Sequence, residues 1–199
     1  YGDADIILRS SCIFTAEKDE PTDGFIAIKG NRILGVGGSE DMYAFRTDET
    51  KVYDLGDKTV TPGFVDNHVF FTGYVWHRLA ENAKAAEKYG FEGVDGAAED
   101  NWQLFQRYLS DEAFIEAEYE EFQRTLAAKG VTSIKEIGFD DYSGFTKTLK
   151  KLEDGKRLLH RVNLVSQPVA KEPDFEYAER CEKEITGEYV KFMGFNIMV

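Results

Sequence analysis

The feature that most constrains this chain is its alternation of strand-like and helix-like runs after Gly130. Val131-Thr132-Ser133-Ile134-Lys135-Glu136-Ile137 reads as extended. A helical stretch carrying Phe145, Leu149 and Leu152 follows and ends at Gly155. Arg161–Val165 is the next strand, Asp174 caps a helix through Ile185 that Gly187 stops, and Glu188–Met193 is the last clear strand. Strands separated by amphipathic helices make parallel βαβ units, because a parallel neighbour is reached only by a crossover.

A further strand belongs to this set. Thr59-Val60-Thr61 breaks at Pro62-Gly63 and resumes as Phe64-Val65, which runs into Asp66-Asn67-His68-Val69-Phe70. A short apolar run ending in polar, ligand-capable residues is how a buried barrel strand delivers a side chain to its functional rim. With this strand the chain holds about half of a (β/α) barrel, which needs eight units.

The segment between these strands reads as helical. Tyr74 to Lys88 is rich in Ala, Glu and Lys and ends near Gly90, and Phe91 to Asp100 reads as a loop. Asn101–Phe105 opens a short helix. Ser110 is the expected N-cap of the next one, with Asp111 and Glu112 at its positive end. Ile115, Tyr119, Phe122 and Leu126 fall on one face of that helix, and Lys129-Gly130 closes it.

Residues before Val60 have another texture. Asp5–Arg9, Cys12–Thr15, Phe25–Lys29, Arg32–Val36 and Lys51–Leu55 read as short strands, with a hairpin turn at Gly30-Asn31 and a short helix from Ser39 through Phe45. This is expected to be a separate antiparallel β-layer with a structural role. The expected domains are 1–60, a β-sandwich half, and 61–199, the first part of a (β/α) barrel.

The run Asp54-Leu55-Gly56-Asp57-Lys58-Thr59-Val60-Thr61-Pro62-Gly63-Phe64, the Lys29-Gly30-Asn31-Arg32-Ile33 hairpin and the stretch into His68 resemble the amidohydrolase superfamily. The nearest branch is similar to amidohydrolase family 3, the N-substituted formamide deformylase type. The resemblance implies an α/β fold, a partial (β/α)8 TIM barrel of the metal-dependent hydrolase type with a small N-terminal β-sandwich-like layer. It implies metal-assisted hydrolysis of a C–N bond in an amide or cyclic amide, with zinc as the cofactor and a small molecule as substrate. The first barrel strand of that family reads Pro-Gly-Phe-hydrophobic-Asp-x-His-x-His, and its two histidines share one face and one metal ion. Here the first is His68 and the second is Phe70, which cannot ligate anything. The rival reading is therefore a degenerate barrel that binds a small molecule or partner without chemistry.

Other residues follow from their places. Asp66 either supports the His68 imidazole from behind or caps the strand end. Lys191, in an otherwise apolar strand, is costly to bury as a cation. It either carries its head to the rim or pairs with an acid, or, as the resemblance implies, is carboxylated to become an anionic metal ligand. Glu136 is expected at the end of its strand as a rim carboxylate lining the pocket. His77 is a remote substitute ligand, and His160, ahead of its strand, is expected to be structural because functional groups of such barrels cluster at strand C-termini.

Composition excludes several classes. The 199 residues carry 37 acidic against 24 Lys and Arg side chains, a formal net charge of -13, with no basic stripe for nucleic acid and no attraction to anionic membranes. Cys12 and Cys181 are too far apart in sequence for a disulfide framework, so reduced thiols and a cytoplasmic location are expected. No apolar run reaches the ~20 residues of a membrane span. A half barrel exposes two sheet edges, so the chain is expected either to be the front part of a longer protein or to pair with another chain, a further copy included.

Overall fold

The computed structural model describes residues 2–81, 83–90, 98–139, 145–166 and 172–196. They form two compact units, Tyr1–Pro62 and Gly63–Val199.

The first unit is a four-stranded sheet. Its strands are β1 (Ile6–Ile13), β2 (Thr22–Lys29), β3 (Arg32–Gly37) and β4 (Lys51–Asp54), in the order β3-β2-β1-β4. β1–β2 and β2–β3 are antiparallel, and Gly30 at φ +56° makes the tight turn into β3. β4 is parallel to β1, from Ile6↔Lys51 to Arg9↔Asp54. This corrects the expected all-antiparallel layer. The chain reaches β4 by a crossover through a 3₁₀ segment, Ser39–Phe45, rather than by a hairpin. The two expected strands around Ser10-Ser11 are one strand with a bulge. Ser10 Oγ donates to the Lys58 carbonyl at 2.6 Å and accepts from the Cys12 N–H at 3.0 Å, which holds the strand together there. Ala4, Ile7, Phe25, Ala27 and Met42 are its core.

The second unit contains β5 (Phe64–Val69), α1 (Phe71–Glu81), α2 (Ala83–Tyr89), α3 (Ala98–Tyr108), α4 (Glu112–Ala128), β6 (Val131–Phe139), α5 (Phe145–Asp154), β7 (Arg161–Ser166), α6 (Phe175–Glu184) and β8 (Val190–Phe195). The strands lie in the order β5-β6-β7-β8, and every neighbouring pair is parallel. This is a mixed α/β architecture: an open, partial (β/α)8 barrel together with an N-terminal sheet layer. The stretch expected to be helical from Tyr74 to Lys88 falls in α1 and α2, and residue 82 between them lies outside the described residues. Of the loop expected from Phe91 to Asp100, residues 91–97 lie outside the described residues, and 98–100 already belong to α3.

One face of the parallel sheet packs on helices. Val69, Ile134, Val162, Leu164 and Val190 from the strands meet Val75 and Leu79 of α1, Ile115 and Tyr119 of α4, and Leu149 and Leu152 of α5. Phe71 is the centre of this layer. Its ring stacks on Phe145 with centroids 5.3 Å apart and meets Tyr119 edge-on at 5.1 Å. Such aromatic pairs contribute about 0.5–1.5 kcal/mol beyond their buried area. Outside, α4 and α5 are laced by Lys147–Glu112 at 2.7 Å, Lys151–Glu116 at 2.6 Å and Arg157–Glu116 at 2.8 Å. Among the described residues no helix is long and apolar enough to cross a membrane.

The start of α4 differs by one residue from expectation. Asp111, not Ser110, is the N-cap: its Oδ1 accepts from the N–H groups of Ala113 at 2.8 Å and Phe114 at 3.2 Å. A carboxylate there also meets the positive end of the helix, which a hydroxyl cannot match. The helix closes as expected at Lys129, with Gly130 at φ +78°. Asp111→Ala should therefore lower stability by about 1 kcal/mol, within a range of roughly 0.5–2, while Ser110→Ala should change it by under about 0.5 kcal/mol. Urea unfolding of the two variants separates the assignments.

Candidate functional site

The candidate site is built on the sheet face turned away from the helices. Period-two alternation fixes which side chains lie there. Ile134 and Glu136, Val162 and Leu164, and Val190 and Phe192 face the helices, so Lys135, Asn163 and Lys191 point to the opposite side. These three are also in register, with Lys135 opposite Asn163 and Asn163 opposite Lys191.

β5 joins this row through an irregularity. Asp66 pairs with Ile134 and Val69 with Glu136, so two residues, Asn67 and His68, stand opposite Lys135. Bulges of this kind re-aim side chains next to functional sites. Val69 is buried against the helices, which turns His68 and Phe70 to the other face. Their rings lie side by side, centroids 5.2 Å apart and inclined at 67°. His68, Lys135, Asn163 and Lys191 thus form one polar row across the sheet. Phe70, Ile137, Val165 and Met193 form an apolar row beside it, nearer the strand C-termini. Phe70 is 39% and Met193 62% exposed.

The sequence-predicted residues take different places. The register shift breaks strict alternation between Asp66 and His68, so the expectation that the two share a face by simple spacing does not hold. The Asp66 Oδ1 accepts the peptide N–H of His68 at 3.1 Å, a contact with backbone rather than with the ring. Glu136 is not a rim carboxylate. β6 continues past it to Phe139, and its side chain is 0% exposed on the helix side, where Oε2 accepts the Phe71 N–H at 2.8 Å. The reason is the start of α1. The first N–H groups of a helix lack partners within it and carry positive partial charge, so a buried carboxylate is stable there. Lys191 is exposed, so no burial cost has to be relieved. His77 is exposed on α1, away from the sheet.

His160 lies where a structural histidine was expected. It is 1% exposed, its Nε2 is 2.9 Å from the Tyr119 hydroxyl, and the Phe122 ring stands edge-on to it. Burial pushes its pKa down from 6.5 to about 4. Burial also raises the Tyr119 hydroxyl well above its ordinary range, and the nearby Glu136 carboxylate raises it further. A neutral imidazole bonded to a neutral phenol follows.

Among the described residues no three His, Cys, Asp or Glu side chains gather into a group that could hold a metal ion. His68 has Phe70 where a second imidazole would stand, and the other members of its row are two lysines and an amide. Ammonium groups repel a cation, so the row as it stands does not fit a metal. Lys135 and Asn163 were not singled out from the sequence. The signal was present: Lys135 alternates with the buried Ile134 and Glu136, as Lys191 does with Val190 and Phe192. A cavity of about 560 Å³ lies between α5, α6 and the start of β8, with Cys181 among its lining residues, and none of the predicted site residues borders it.

No family model matches the chain. The imidazolonepropionase of Geobacillus kaustophilus is 30% identical over 158 residues, which cover 72% of this chain and 35% of that protein. Among solved structures, an uncharacterized metal-dependent hydrolase from Pyrococcus furiosus superposes with a TM-score of 0.61 at 14% identity, covering 96% of this chain and 55% of that one. The guanine deaminase from C. acetobutylicum gives 0.60 at 13% identity, covering 97% and 46%. The chain thus spans about a third of that curated relative and about half of those structures. Its fold is shared with these hydrolase and deaminase structures, a partial (β/α)8 barrel with an N-terminal sheet layer.

The buried His160 makes stability depend on pH in a defined direction. With a folded pKa near 4 and an unfolded one near 6.5, the unfolded chain binds the extra proton as pH falls between the two. Stability is then complete above the unfolded pKa and declines on acidification. The loss should be roughly 2 kcal/mol between about pH 7 and about pH 5. His160→Gln should flatten that part of the profile, measured by urea unfolding at each pH. A slope unchanged by the substitution would rule out His160 as its source.

Proposed function

We propose that this chain contributes the first four strands of a hydrolase barrel acting on C–N bonds of amides or cyclic amides. The observation that carries the reading is His68 at the C-terminal end of the first parallel strand, directly after Pro62-Gly63-Phe64-Val65-Asp66-Asn67. Ligands of α/β barrels sit at strand C-termini, and the fold is shared with metal-dependent hydrolases and a guanine deaminase. The partial similarity to an imidazolonepropionase favours a small cyclic amide as substrate. Assignment to the family 3 branch belongs to this proposal and rests on the wording of the first strand. So do the domain limits 1–60 and 61–199.

Zinc is the cofactor the reading implies, and when bound it would polarise the scissile carbonyl and supply hydroxide at neutral pH. His68 is the proposed ligand from the first strand. Lys191 would join it only in carboxylated form, because an ammonium cannot ligate. These two do not complete a ligand set among the described residues. In this reading Phe70 forms an apolar wall against the imidazole, and Glu136 holds the turn that carries both rings.

A second reading is favoured by a specific observation. The Phe70 ring packs against the His68 ring, and in the proposed alignment Phe70 takes the place of a second imidazole, which suits a barrel that binds a small molecule without hydrolysing it.

Two measurements test these readings. In the protein assayed with zinc against a panel of amides and cyclic amides, His68→Ala should lower kcat/KM by at least about 100-fold, the scale of losing a charge-stabilising group. Undiminished turnover would remove His68 from the machinery. Phe70→His should tighten zinc binding by about tenfold or more, the effect expected of restoring a lost imidazole ligand. Equal and tight binding by both proteins in calorimetry would show that Phe70 does not stand in a ligand position.

A further inference from the structure

We propose that Tyr119 is a positioning residue for the start of α1: its oxygen accepts the Nε2–H of His160, and its hydroxyl proton turns toward the Glu136 carboxylate that holds the Phe71 N–H. A line of polar groups then crosses the buried layer from the foot of β7 to the rim end of β5. The inference rests on the hydrolase reading only in giving that rim a use, since His68 stands three residues before Phe71. The proton positions themselves do not depend on it.

Three buried side chains carry the argument. Tyr119 and Glu136 are 0% exposed and His160 is 1% exposed. They sit on α4, on β6 and just before β7. The Tyr119 hydroxyl and His160 Nε2 are 2.9 Å apart, and Glu136 Oε2 is 2.8 Å from the Phe71 nitrogen. Phe71 joins the two pairs, because the Tyr119 ring stands edge-on to its ring with centroids 5.1 Å apart.

A phenol has one proton, and the contact with Nε2 can be made with that proton on either atom. If Tyr119 donated it, the neutral imidazole would carry its own proton on Nδ1. That atom is buried and has no partner among the described residues, and orphaned buried N–H groups are rarer and more costly than an unused acceptor lone pair. With the proton on Nε2, the tyrosine oxygen accepts it and the hydroxyl proton is free to turn the other way. Burial, and then the Glu136 carboxylate, raise the hydroxyl well above its ordinary range, so it keeps its proton. An O–H turned to a buried anion is held more strongly than one turned to a neutral ring. Among the described residues no further charge shifts either group, and burial alone acts on His160. The elements packed around the pair supply uncharged rings: Phe71 from α1, Phe122 from α4 and Phe145 from α5. The nearby Gln123 amide is spent on the Arg157 carbonyl and the Leu159 N–H. Glu136 is thus stabilised from two directions, by the Phe71 N–H and by the Tyr119 dipole, which fixes the height at which α1 begins.

The test is nitrogen NMR of the imidazoles in the labelled protein. The chain has three histidines, and His68 and His77 are exposed, so His160 is the one that does not titrate near its ordinary pKa. Its proton should lie on Nε2, with Nδ1 bare. In Tyr119→Phe both tautomers should be populated. The Phe71 amide should then exchange at least about threefold faster relative to that of Leu164, the low end of one hydrogen bond's net contribution. Leu152→Val trims the same buried layer without touching a polar group. It should lower stability and leave the tautomer and the relative Phe71 exchange unchanged. A proton on Nδ1 in the wild type would overturn the proposal, whether or not the variants fold. A Tyr119→Phe protein with the wild-type tautomer and Phe71 exchange would overturn the positioning role. Absent amide hydrolysis with all of these signals as expected would overturn the hydrolase reading alone.

Discussion

The hydrogen bond from the Phe71 N–H to Glu136 is the contact on which the second unit depends. A carboxylate with no exposure must meet donors or positive charge, because leaving it unpaired costs several kcal/mol. The first turn of α1 supplies both. The bond therefore fixes where α1 begins relative to the middle of β6. Since only Phe70 separates Phe71 from β5, the same bond sets the height at which that strand ends, and with it His68 and Phe70. The Phe71 ring then locks the arrangement from the other side, between Phe145 of α5 and Tyr119 of α4. One residue thus joins the rim of the sheet to three helices, through its backbone and its ring at once.

Much of this architecture was legible in the sequence, because periodicity reports burial. The runs at Val131, Arg161 and Glu188, with amphipathic stretches between them, led to parallel strands in chain order, and the ladders have that order. What was not legible depends on pairing between distant residues. Nothing local says that β4 joins β1 in parallel, since strand character is the same either way. The bulge at Asn67-His68 is likewise invisible, yet it decides which residues share a face with Lys135. Glu136 illustrates the same limit. A glutamate after Ile134 and Lys135 reads as a rim carboxylate at the strand end, and only the helix start brought against it makes burial tolerable.

For the candidate site, the sequence puts His68 and Phe70 at the end of one strand, and their rings lie 5.2 Å apart. Lys135 and Asn163, in register with Lys191, were not legible as their neighbours, because the pairing that aligns them is written in no single strand.

The lysines of the helical layer show where stability does not come from. On the outside of α4 and α5, Lys147 and Lys151 bridge to Glu112 and Glu116, and these contacts hold both carboxylates below their usual range. Such exposed pairs contribute little to stability, because solvent screens them and two long side chains lose freedom in forming them. Losing one would hardly disturb the fold. The stability of the unit therefore lies beneath these pairs, in the buried layer where Phe71, Tyr119, Phe145 and Leu149 meet the strands. The outer ion pairs set how α4 and α5 sit beside each other, and the Phe71–Glu136 bond sets how that helical layer is placed along the sheet.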